Sequence, residues 1–339
     1  MIRMTLAFLV VLIATAARAD DPLAGPWPSP DSVRSIHGQS ISFPSRSPFT
    51  LSDLDDADRT AVQATLFLPP GAAKPHSLPA VVMLHGAGGV LESRELTYGR
   101  QLAAMGVAAL AIDSFGSRRD RGIGFTQRLL NITETMLVTD AYAALGYLGT
   151  RPEIDADHVV LVGFSYGAMA TMYALNDVVA RKLAPPGLRF AGHVSFYGPC
   201  IARFDRPRTT GAPLLMLYGD QDELIDHKRC AETADSFRAG GSSVQVIAYP
   251  GAVHQWDGSF ERRLIGRNLA NCDFGIDADG DPYDRGIGLP MTGSFMRKVL
   301  LVLCVEDRPY PIGRDDAVRA RSNHDFGAFL ARVFARPSG

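Results

Sequence analysis

Long apolar runs that predict buried β-strands recur through the middle of this chain, and segments with helical spacing lie between them. Strands are predicted at 61–68, 79–84, 107–112, 158–162, 192–196, 213–218 and 244–249. Helical spacing of apolar residues is found over 91–105, 129–148, 168–175, 228–238 and 316–334. Strands that are apolar throughout are buried on both faces, so the alternation predicts an α/β fold with a mainly parallel central sheet covered by helices on both faces.

Outside this alternating region the hydrophobic pattern is weak. Residues 20–58 are rich in Pro, Ser and Asp, which predicts an extended N-terminal arm with one short edge strand near 40–43. Residues from about 255 to 313 carry many Gly, Asp and Arg and little clean periodicity. We therefore expect one α/β domain over 59–339, interrupted by an irregular excursion at about 255–313.

The first residues have the pattern of a secretory signal peptide. Arg3 supplies a positive charge, residues 5–15 are mostly apolar, and Ala17-Arg18-Ala19 is a small-x-small cleavage site. The sequence thus predicts a signal peptide over 1–19, cleavage after Ala19, and a secreted or periplasmic protein. An uncleaved anchor is the alternative. No later segment has about 18 uninterrupted apolar residues, so no stable membrane insertion is expected after cleavage.

Composition and charge exclude some classes of partner. The chain has 339 residues, is 46% hydrophobic and 21% charged, and carries a formal net charge of −2. That charge offers no basic excess for nucleic acid, so no nucleic-acid partner is expected. The glycine-rich segment 85–89 lacks the spacing of a dinucleotide-binding turn and any P-loop lysine, and no cofactor is predicted.

The four cysteines favour disulfides over metal or redox chemistry. Cys200, Cys230, Cys272 and Cys304 form no Cys-x-x-Cys pair, and an even number in an exported protein indicates two disulfides. Three pairings are possible. We favour Cys200 with Cys230 and Cys272 with Cys304, because each pair brackets one continuous segment. Four buried free thiols are the alternative.

The strongest chemical signal is Gly163-Phe164-Ser165-Tyr166-Gly167, which follows one apolar run and precedes a helix-forming stretch. This context predicts a strand, a sharp turn and a helix, with Ser165 at the apex. A serine hydroxyl needs a base that is itself oriented by a third group. Asp222 follows the strand at 213–218 and His254 follows the strand at 244–249, and the order Ser, Asp, His is that of α/β-hydrolases. In parallel sheets the chemistry lies at these strand ends.

These three segments together resemble the dienelactone hydrolase family of the α/β-hydrolase superfamily. The resemblance covers about residues 60–256 and the last helix, and it rests on 163–167, on the Gly-x-x-Asp spacing of 219–222 and on 249–254. It implies Ser165 as nucleophile, His254 as general acid and base, and Asp222 as the orienting carboxylate. Asp220 and Asp226 are rival carboxylates, and seven other histidines compete with His254. Dienelactone hydrolases proper use a cysteine nucleophile, so Ser165 favours ordinary carboxylic esters.

An oxyanion hole needs two hydrogen-bond donors aimed at the developing negative charge. We expect one to be the backbone N–H of Tyr166, at the start of the helix. The other is expected from the turn over 85–89, with Ala87 or Gly88 as the donor.

Two further groups of charged residues are candidate binding sites. Arg118, Arg119 and Arg121 follow the strand at 107–112, and any of them could pair with a substrate carboxylate, with Arg118 and Arg119 as the favoured candidates. A solvated or structurally paired loop is the alternative. Asp277, Asp279, Asp281 and Asp284 suggest calcium. Yet Pro282 stands at the glycine position of an EF-hand loop and Gly288 at the glutamate position, so no metal is predicted.

The sequence therefore predicts an exported serine hydrolase that cleaves small-molecule carboxylic esters through an acyl-enzyme. Lactones, which are cyclic esters, are a further substrate class. Two alternatives stay open. One is a serine peptidase of the same fold, since ester and amide cleavage share this constellation. The other is a non-catalytic binding protein on a hydrolase scaffold.

Overall fold

The computed structural model describes residues 22–71 and 74–335, and the predicted signal peptide over 1–19 lies outside them. The strands are β1 (Gln39–Arg46), β2 (Arg59–Phe67), β3 (Leu78–Leu84), β4 (Ala108–Asp113), β5 (Ile154–Phe164), β6 (Gly192–Phe196), β7 (Ala202–Phe204), β8 (Leu214–Gly219), β9 (Val244–Tyr249), β10 (Arg263–Ile265), β11 (Phe274–Ile276), β12 (Pro282–Asp284) and β13 (Tyr310–Ile312). The α-helices are α1 (Thr97–Ala104), α2 (Phe125–Asn131), α3 (Glu134–Gly149), α4 (Tyr166–Ala174), α5 (Asp177–Leu183), α6 (His227–Ala239), α7 (Gly293–Cys304) and α8 (Asp316–Phe334).

Eight strands form the central sheet in the order β1-β2-β4-β3-β5-β6-β8-β9. β1 pairs antiparallel with β2, and β2 pairs antiparallel with β4, whereas every pairing from β4 to β9 is parallel. This is the mainly parallel sheet that the alternation of strands and helices in the sequence predicts. Its parallel strands all end at one edge, so the segments that follow β3, β5, β8 and β9 meet there.

Both faces of the sheet are buried, as the continuous apolar runs require. In β3, Val82 and Leu84 pack in a cluster with side chains of α3 and α4, while Val81 and Met83 pack in a second cluster with α1 and α8. Successive side chains of a strand point to opposite faces, so a strand covered by helices on both faces must be apolar at every position.

The segment over 20–58 contributes more to this sheet than one short strand near 40–43. β1 has eight residues, and Gln39 to Arg46 each pair with a residue of β2. β1 lies at the edge of the sheet and only some of its side chains are buried, so its sequence carries polar residues that weaken the strand signal.

The prediction of one continuous helix over 129–148 is wrong, because the structure has two helices there. α2 ends at Asn131 and α3 begins at Glu134. Thr133 lies between them in an extended conformation, and its hydroxyl accepts a hydrogen bond from Met136 N at 3.4 Å. A threonine that caps a new helix in this way ends the old one, and apolar spacing alone does not reveal the break.

The excursion over 255–313 contains regular structure that its sequence pattern did not predict. β10 pairs with β13, and β11 lies between β12 and β7 in a small three-stranded sheet. α7 has twelve residues, but Phe295, Val302 and Leu303 on it are 64–74% exposed. The Gly, Asp and Pro residues over 280–292, just before α7, interrupt the pattern of the excursion, so the sequence analysis did not predict this helix.

Two disulfides staple these parts together. Cys200 is bonded to Cys230, and Cys272 is bonded to Cys304, which is the pairing favoured from the sequence. The sequence separations of 30 and 32 residues give about 3 to 4 kcal/mol of stabilisation each on the chain-entropy model. The first bond ties α6 to the segment after β6, and the second ties α7 to the segment before β11.

Within 22–71 and 74–335, no helix is both long enough and apolar enough to cross a membrane.

Candidate active site

Ser165 occupies a sharp turn between β5 and α4, at the centre of the sheet. Its φ of +51° lies in a region that side chains other than glycine rarely adopt. The flanking glycines are required by close backbone contacts. A Cβ on Gly163 would lie 2.1 Å from the Gly167 carbonyl oxygen, and a Cβ on Gly167 would lie 2.3 Å from the Leu84 carbonyl oxygen. The strained turn thus projects the Ser165 hydroxyl from the end of the sheet.

The structure brings Ser165, His254 and Asp222 together in one chain of hydrogen bonds. His254 Nε2 lies 2.8 Å from Ser165 Oγ, and His254 Nδ1 lies 2.7 Å from Asp222 Oδ2. With the carboxylate at Nδ1, the Nδ1–H donates to Asp222 and Nε2 is left to accept from the serine hydroxyl. His254 and Asp222 are 0% and 2% exposed, so these bonds form away from bulk water.

The Asp222 carboxylate is itself held in place. Its Oδ1 accepts a hydrogen bond from Leu224 N at 3.0 Å, and its backbone N–H donates to the Gly219 carbonyl oxygen at 3.3 Å. The two rival carboxylates bond to other partners. Asp220 accepts a hydrogen bond from Gly251 N, and Asp226 caps α6 by accepting one from Arg229 N.

Three of the competing histidines that lie in strands or helices have partners away from Ser165. His158 contacts Asp155, and the His227 ring stacks on Tyr218 at 5.2 Å. His324 is exposed on α8.

The turn after β3 lies against Ser165, on the side opposite β6. A Cβ on Gly86 would lie 3.5 Å from Ser165 Cβ. The buried His85 ring braces the turn, since its Nδ1 lies 2.8 Å from the Gly86 carbonyl oxygen and its Nε2 lies 3.4 Å from Phe115 N. Burial lowers the pKa of His85, which keeps the ring neutral and able to accept from Phe115.

The expected oxyanion donors border the same space. Ala87 and Tyr166 line a cavity together with Ser165, and Gly88 follows Ala87 in the turn. Tyr166 is the first residue of α4, so its backbone N–H has no carbonyl one turn earlier in the helix to bond.

The cavity at Ser165 measures about 700 Å³ and lies between the sheet edge, α2, α4 and the excursion. Cavities of this size suit small-molecule ligands. A shallower cleft of about 870 Å³ lies along β1, β2 and α3, and none of Ser165, Asp222 or His254 lines it. Ser165 therefore opens into the apolar cavity and not into the surface cleft.

Arg118 takes the structural role that the sequence analysis left open, and it does not face the cavity. Its side chain is 1% exposed, and Nη1 and Nη2 donate to the two carboxylate oxygens of Asp140 at 2.7 Å each. Nε donates to Ser47 Oγ. With the guanidinium engaged in this way, Arg118 joins the loop after β4 to α3, whereas Arg119 lies exposed and outside the cavity lining.

Asp277, Asp279 and Asp281 lie in the turn between β11 and β12, and Asp284 is the last residue of β12. Asp277 Oδ1 accepts from the backbone N–H groups of Asp279 and Asp281, and Asp281 Oδ1 accepts from Ser52 N. Across the described residues, no cluster of three or more His, Cys, Asp or Glu has the arrangement of a metal site.

A buried polar group behind His254 was not found from the sequence. Tyr197 follows β6 with φ of +41°, and its ring meets the His254 ring edge-on at 4.8 Å. Its hydroxyl donates to Asp257 Oδ1 at 2.6 Å, and the Tyr310 ring also meets the His254 ring edge-on, at 5.7 Å. Burial raises the pKa of Tyr197 well above its ordinary value, so the hydroxyl stays protonated and able to donate. Two sequence signals point to this pair. Tyr197 directly follows the end of a predicted strand, and Asp257 stands three positions after His254.

Comparison with known proteins adds a family match. The family model described as the dienelactone hydrolase family matches residues 62–264 of the chain. The "Probable 2-oxo-3-(5-oxofuran-2-ylidene)propanoate lactonase" of Bradyrhizobium sp. is 27% identical over 200 residues, which are 54% of this chain and 75% of that protein. NocK of Nocardia uniformis subsp. tsuyamanensis, named as an esterase, is 29% identical over 226 residues, which are 64% of this chain and 63% of NocK.

Solved structures give a distant likeness. A dienelactone hydrolase-like promiscuous phosphotriesterase from metagenomic libraries is 22% identical with a TM-score of 0.49, and the match covers 65% of this chain and 84% of that one.

Proposed function

Because the chain belongs to the dienelactone hydrolase family, we propose that it is an exported serine hydrolase that cleaves carboxylic esters through an acyl-enzyme, with Ser165, His254 and Asp222 as its catalytic residues. The observation that carries the proposal is the hydrogen-bonded order Asp222, His254, Ser165 at the edge of the sheet, with distances of 2.7 and 2.8 Å. The family supports ester or lactone hydrolysis, and the serine nucleophile favours ordinary esters.

In the first half of the proposed reaction, Ser165 Oγ attacks the ester carbonyl carbon while His254 Nε2 takes the hydroxyl proton. The backbone N–H groups of Tyr166 and of Ala87 or Gly88 stabilise the oxyanion of the tetrahedral intermediate. The bond from carbon to the alcohol oxygen then breaks, and His254 returns the proton to the departing alcohol. Asp222 holds the histidine tautomer and stabilises the positive charge that the ring carries in between.

Water completes the cycle. His254 takes a proton from a water molecule that attacks the acyl carbon, the bond to Ser165 Oγ breaks, and the proton returns to the serine. The carboxylic acid leaves, and no cofactor takes part in any step.

We also propose that the protein works outside the cytoplasm, after cleavage following Ala19. The two disulfides support this, because such bonds persist in oxidising compartments. The N-terminal sequence of the exported protein is expected to begin at Asp20.

The test of the proposed function is hydrolysis of p-nitrophenyl esters by the wild type and by Ser165→Ala. Loss of the nucleophile is expected to lower kcat by about 10⁴- to 10⁶-fold. Ser243→Ala is a matched control, because Ser243 is exposed and precedes β9, at the amino ends of the parallel strands, whereas the three residues lie beyond the carboxyl ends. A fluorophosphonate probe is expected to label the wild type and Ser243→Ala but not Ser165→Ala.

A folded wild type that neither hydrolyses esters nor reacts with the probe would overturn the proposal and favour a binding role. Cleavage of peptides in place of esters would favour the peptidase alternative.

A further inference from the structure

The walls of the cavity at Ser165 indicate which kind of ester it accepts. Most of the side chains that line it are apolar, and they come from α2, α4, the small sheet of the excursion and α7. Representative members are Leu129, Met169, Ile201, Phe274, Ile276 and Leu301. A lining of this kind binds an apolar group, because transfer of apolar surface out of water lowers the free energy. It provides few hydrogen bonds for a charged or strongly hydrated group.

The charged residues at the cavity are already paired or exposed to solvent. Arg297 Nη1 lies 2.9 Å from Glu134 Oε2, and the two side chains are 7% and 21% exposed. Arg267 faces Asp307 at 3.6 Å, and Lys298 is exposed at the rim. A substrate carboxylate would therefore compete with an existing partner or with water, whereas an uncharged chain displaces neither.

The position of His254 indicates which half of the ester the cavity holds. The departing alcohol oxygen must come within reach of His254 Nε2. His254 is fully buried and contributes nothing to the cavity wall, whereas Ser165, Ala87 and Tyr166 all line it. The last three surround the expected position of the carbonyl group. Tyr310, whose ring contacts His254, and Leu224, whose N–H bonds Asp222, also line the cavity, so the alcohol oxygen lies on that side and the acyl chain takes the apolar part between α2, α4 and α7.

α7 forms the outer wall of the cavity and carries its apolar character to the surface. Val302 lines the cavity and is 71% exposed, and Phe125 of α2 also lines it and is 55% exposed. Leu303 is 64% exposed on the same helix but does not line the cavity. The apolar path thus runs from Ser165 to an open mouth, so that a chain longer than the cavity can extend into solvent.

We propose that the substrate is an ester with a long, uncharged, apolar acyl chain, which the cavity between α2, α4 and α7 accommodates. This inference rests on the proposed function, because it assigns the acyl group of the same reaction. The excursion over 255–313 supplies α7 and much of the wall, and so determines acyl-chain specificity.

The test measures kcat/KM for p-nitrophenyl acetate, butyrate, octanoate and decanoate, each below its aggregation concentration. The leaving group is constant, so the series varies only the acyl chain. Each methylene that enters the cavity can raise kcat/KM by up to about fourfold, mainly through KM. We expect octanoate to exceed acetate by at least about 30-fold.

Two neighbouring substitutions on α7 test the wall. Val302→Asp places a charge at the mouth, and it is expected to lower the octanoate-to-acetate ratio of kcat/KM by at least about fivefold. Leu303→Asp places the same charge one residue further along and outside the lining, and it is expected to leave the ratio at the wild-type value. Both positions are exposed, so both variants are expected to fold, and circular dichroism checks this.

The outcomes separate this inference from the proposed function. If Ser165-dependent hydrolysis occurs but is flat or falls from acetate to decanoate, the apolar acyl site is wrong while the serine hydrolase stands. If the ratio falls equally in both α7 variants, the assignment of the wall is wrong. If no ester is hydrolysed and the fluorophosphonate probe does not react, the proposed function itself fails.

Discussion

Ser165 and Tyr197 both have positive φ, and both lie just beyond the end of a parallel strand, after β5 and β6 respectively. A non-glycine residue keeps such a conformation only where surrounding contacts hold it. Ser165 N donates to the Phe196 carbonyl oxygen at 2.9 Å, and Tyr197 N donates to the Leu217 carbonyl oxygen at 2.6 Å. The sheet hydrogen bonds thus continue through both strained residues and fix the serine hydroxyl against His254.

Asp222→Asn tests the proposed role of the carboxylate. The amide can present an N–H to His254 Nδ1, which favours the tautomer that cannot accept from Ser165, so kcat is expected to fall by about 10³- to 10⁴-fold. Asp220→Asn and Asp226→Asn are matched controls, since their carboxylates bond to Gly251 N and Arg229 N instead. Steady-state ester hydrolysis compares all three. A larger loss in either control would reassign the carboxylate.

At the scale of the elements, the position of α7 depends on a few specific contacts. Arg297 Nε donates to the Leu129 carbonyl oxygen at 2.8 Å, and Nη2 donates to Tyr166 Oη at 3.1 Å. Burial works against the charge, but the Glu134 carboxylate raises the pKa of Arg297 above its ordinary value, so the guanidinium stays charged. One side chain therefore joins α7 to α2, to α3 and to the residue after Ser165, while Cys272–Cys304 ties the far end of the helix.

Arg297→Met is expected to lower the free energy of unfolding by about 2 to 4 kcal/mol, because it leaves Glu134 without its partner in a mostly buried site. Lys298→Met is the matched control and is expected to change it by less than about 0.5 kcal/mol, since Lys298 is exposed. Urea unfolding under non-reducing conditions measures both.

Adding Glu134→Gln to Arg297→Met removes the unpaired charge and is expected to recover at least about 1 kcal/mol. If the losses of unfolding free energy in Arg297→Met and in Glu134→Gln simply add in the double variant, the ion pair does not anchor the helix.

In the molecule as a whole, the sheet is enclosed so completely that it buries an ionisable side chain at its centre. His193 of β6 is 0% exposed and packs against Phe190 at 5.7 Å. Burial lowers the pKa of His193 to about 3, with a backbone contact to Thr171 partly opposing the shift. The ring is therefore neutral in the folded protein at any pH at which the enzyme is expected to work.

This burial makes the stability of the fold sensitive to acid. Between about pH 6.5 and pH 3, His193 binds a proton in the unfolded chain but not in the folded one, so stability is greatest above pH 6.5 and falls as the pH decreases. Protonation of His193 in the unfolded chain is expected to lower the free energy of unfolding by about 2 kcal/mol between pH 7 and pH 5. In His193→Leu the fall over this range is expected to be smaller by that amount, as measured by urea unfolding. Equal falls in the two proteins would contradict the assignment.

The sequence by itself determined the layered fold and pointed to Ser165, Asp222 and His254, the residues on which the proposed chemistry depends. β6, β9 and α8 have the predicted bounds, and the family match covers the region in which the three motifs lie. These signals are local: a strand buried on both faces must be apolar at every position, and a serine at a tight strand-to-helix turn needs glycine on both sides. Local requirements of this kind leave a record in consecutive residues.

Only the tertiary structure decided what surrounds those residues. Arg118 could have met a substrate, but Asp140, 22 positions later in the chain, engages it; Tyr197 and Asp257 meet behind His254 from separate loops. α7 places the apolar side chain of Val302 in solvent at the cavity mouth, and nothing in the sequence of the helix itself says that it packs beside Ser165. Contacts between distant segments depend on how the sheet and the excursion pack together, and no short stretch of sequence encodes that packing.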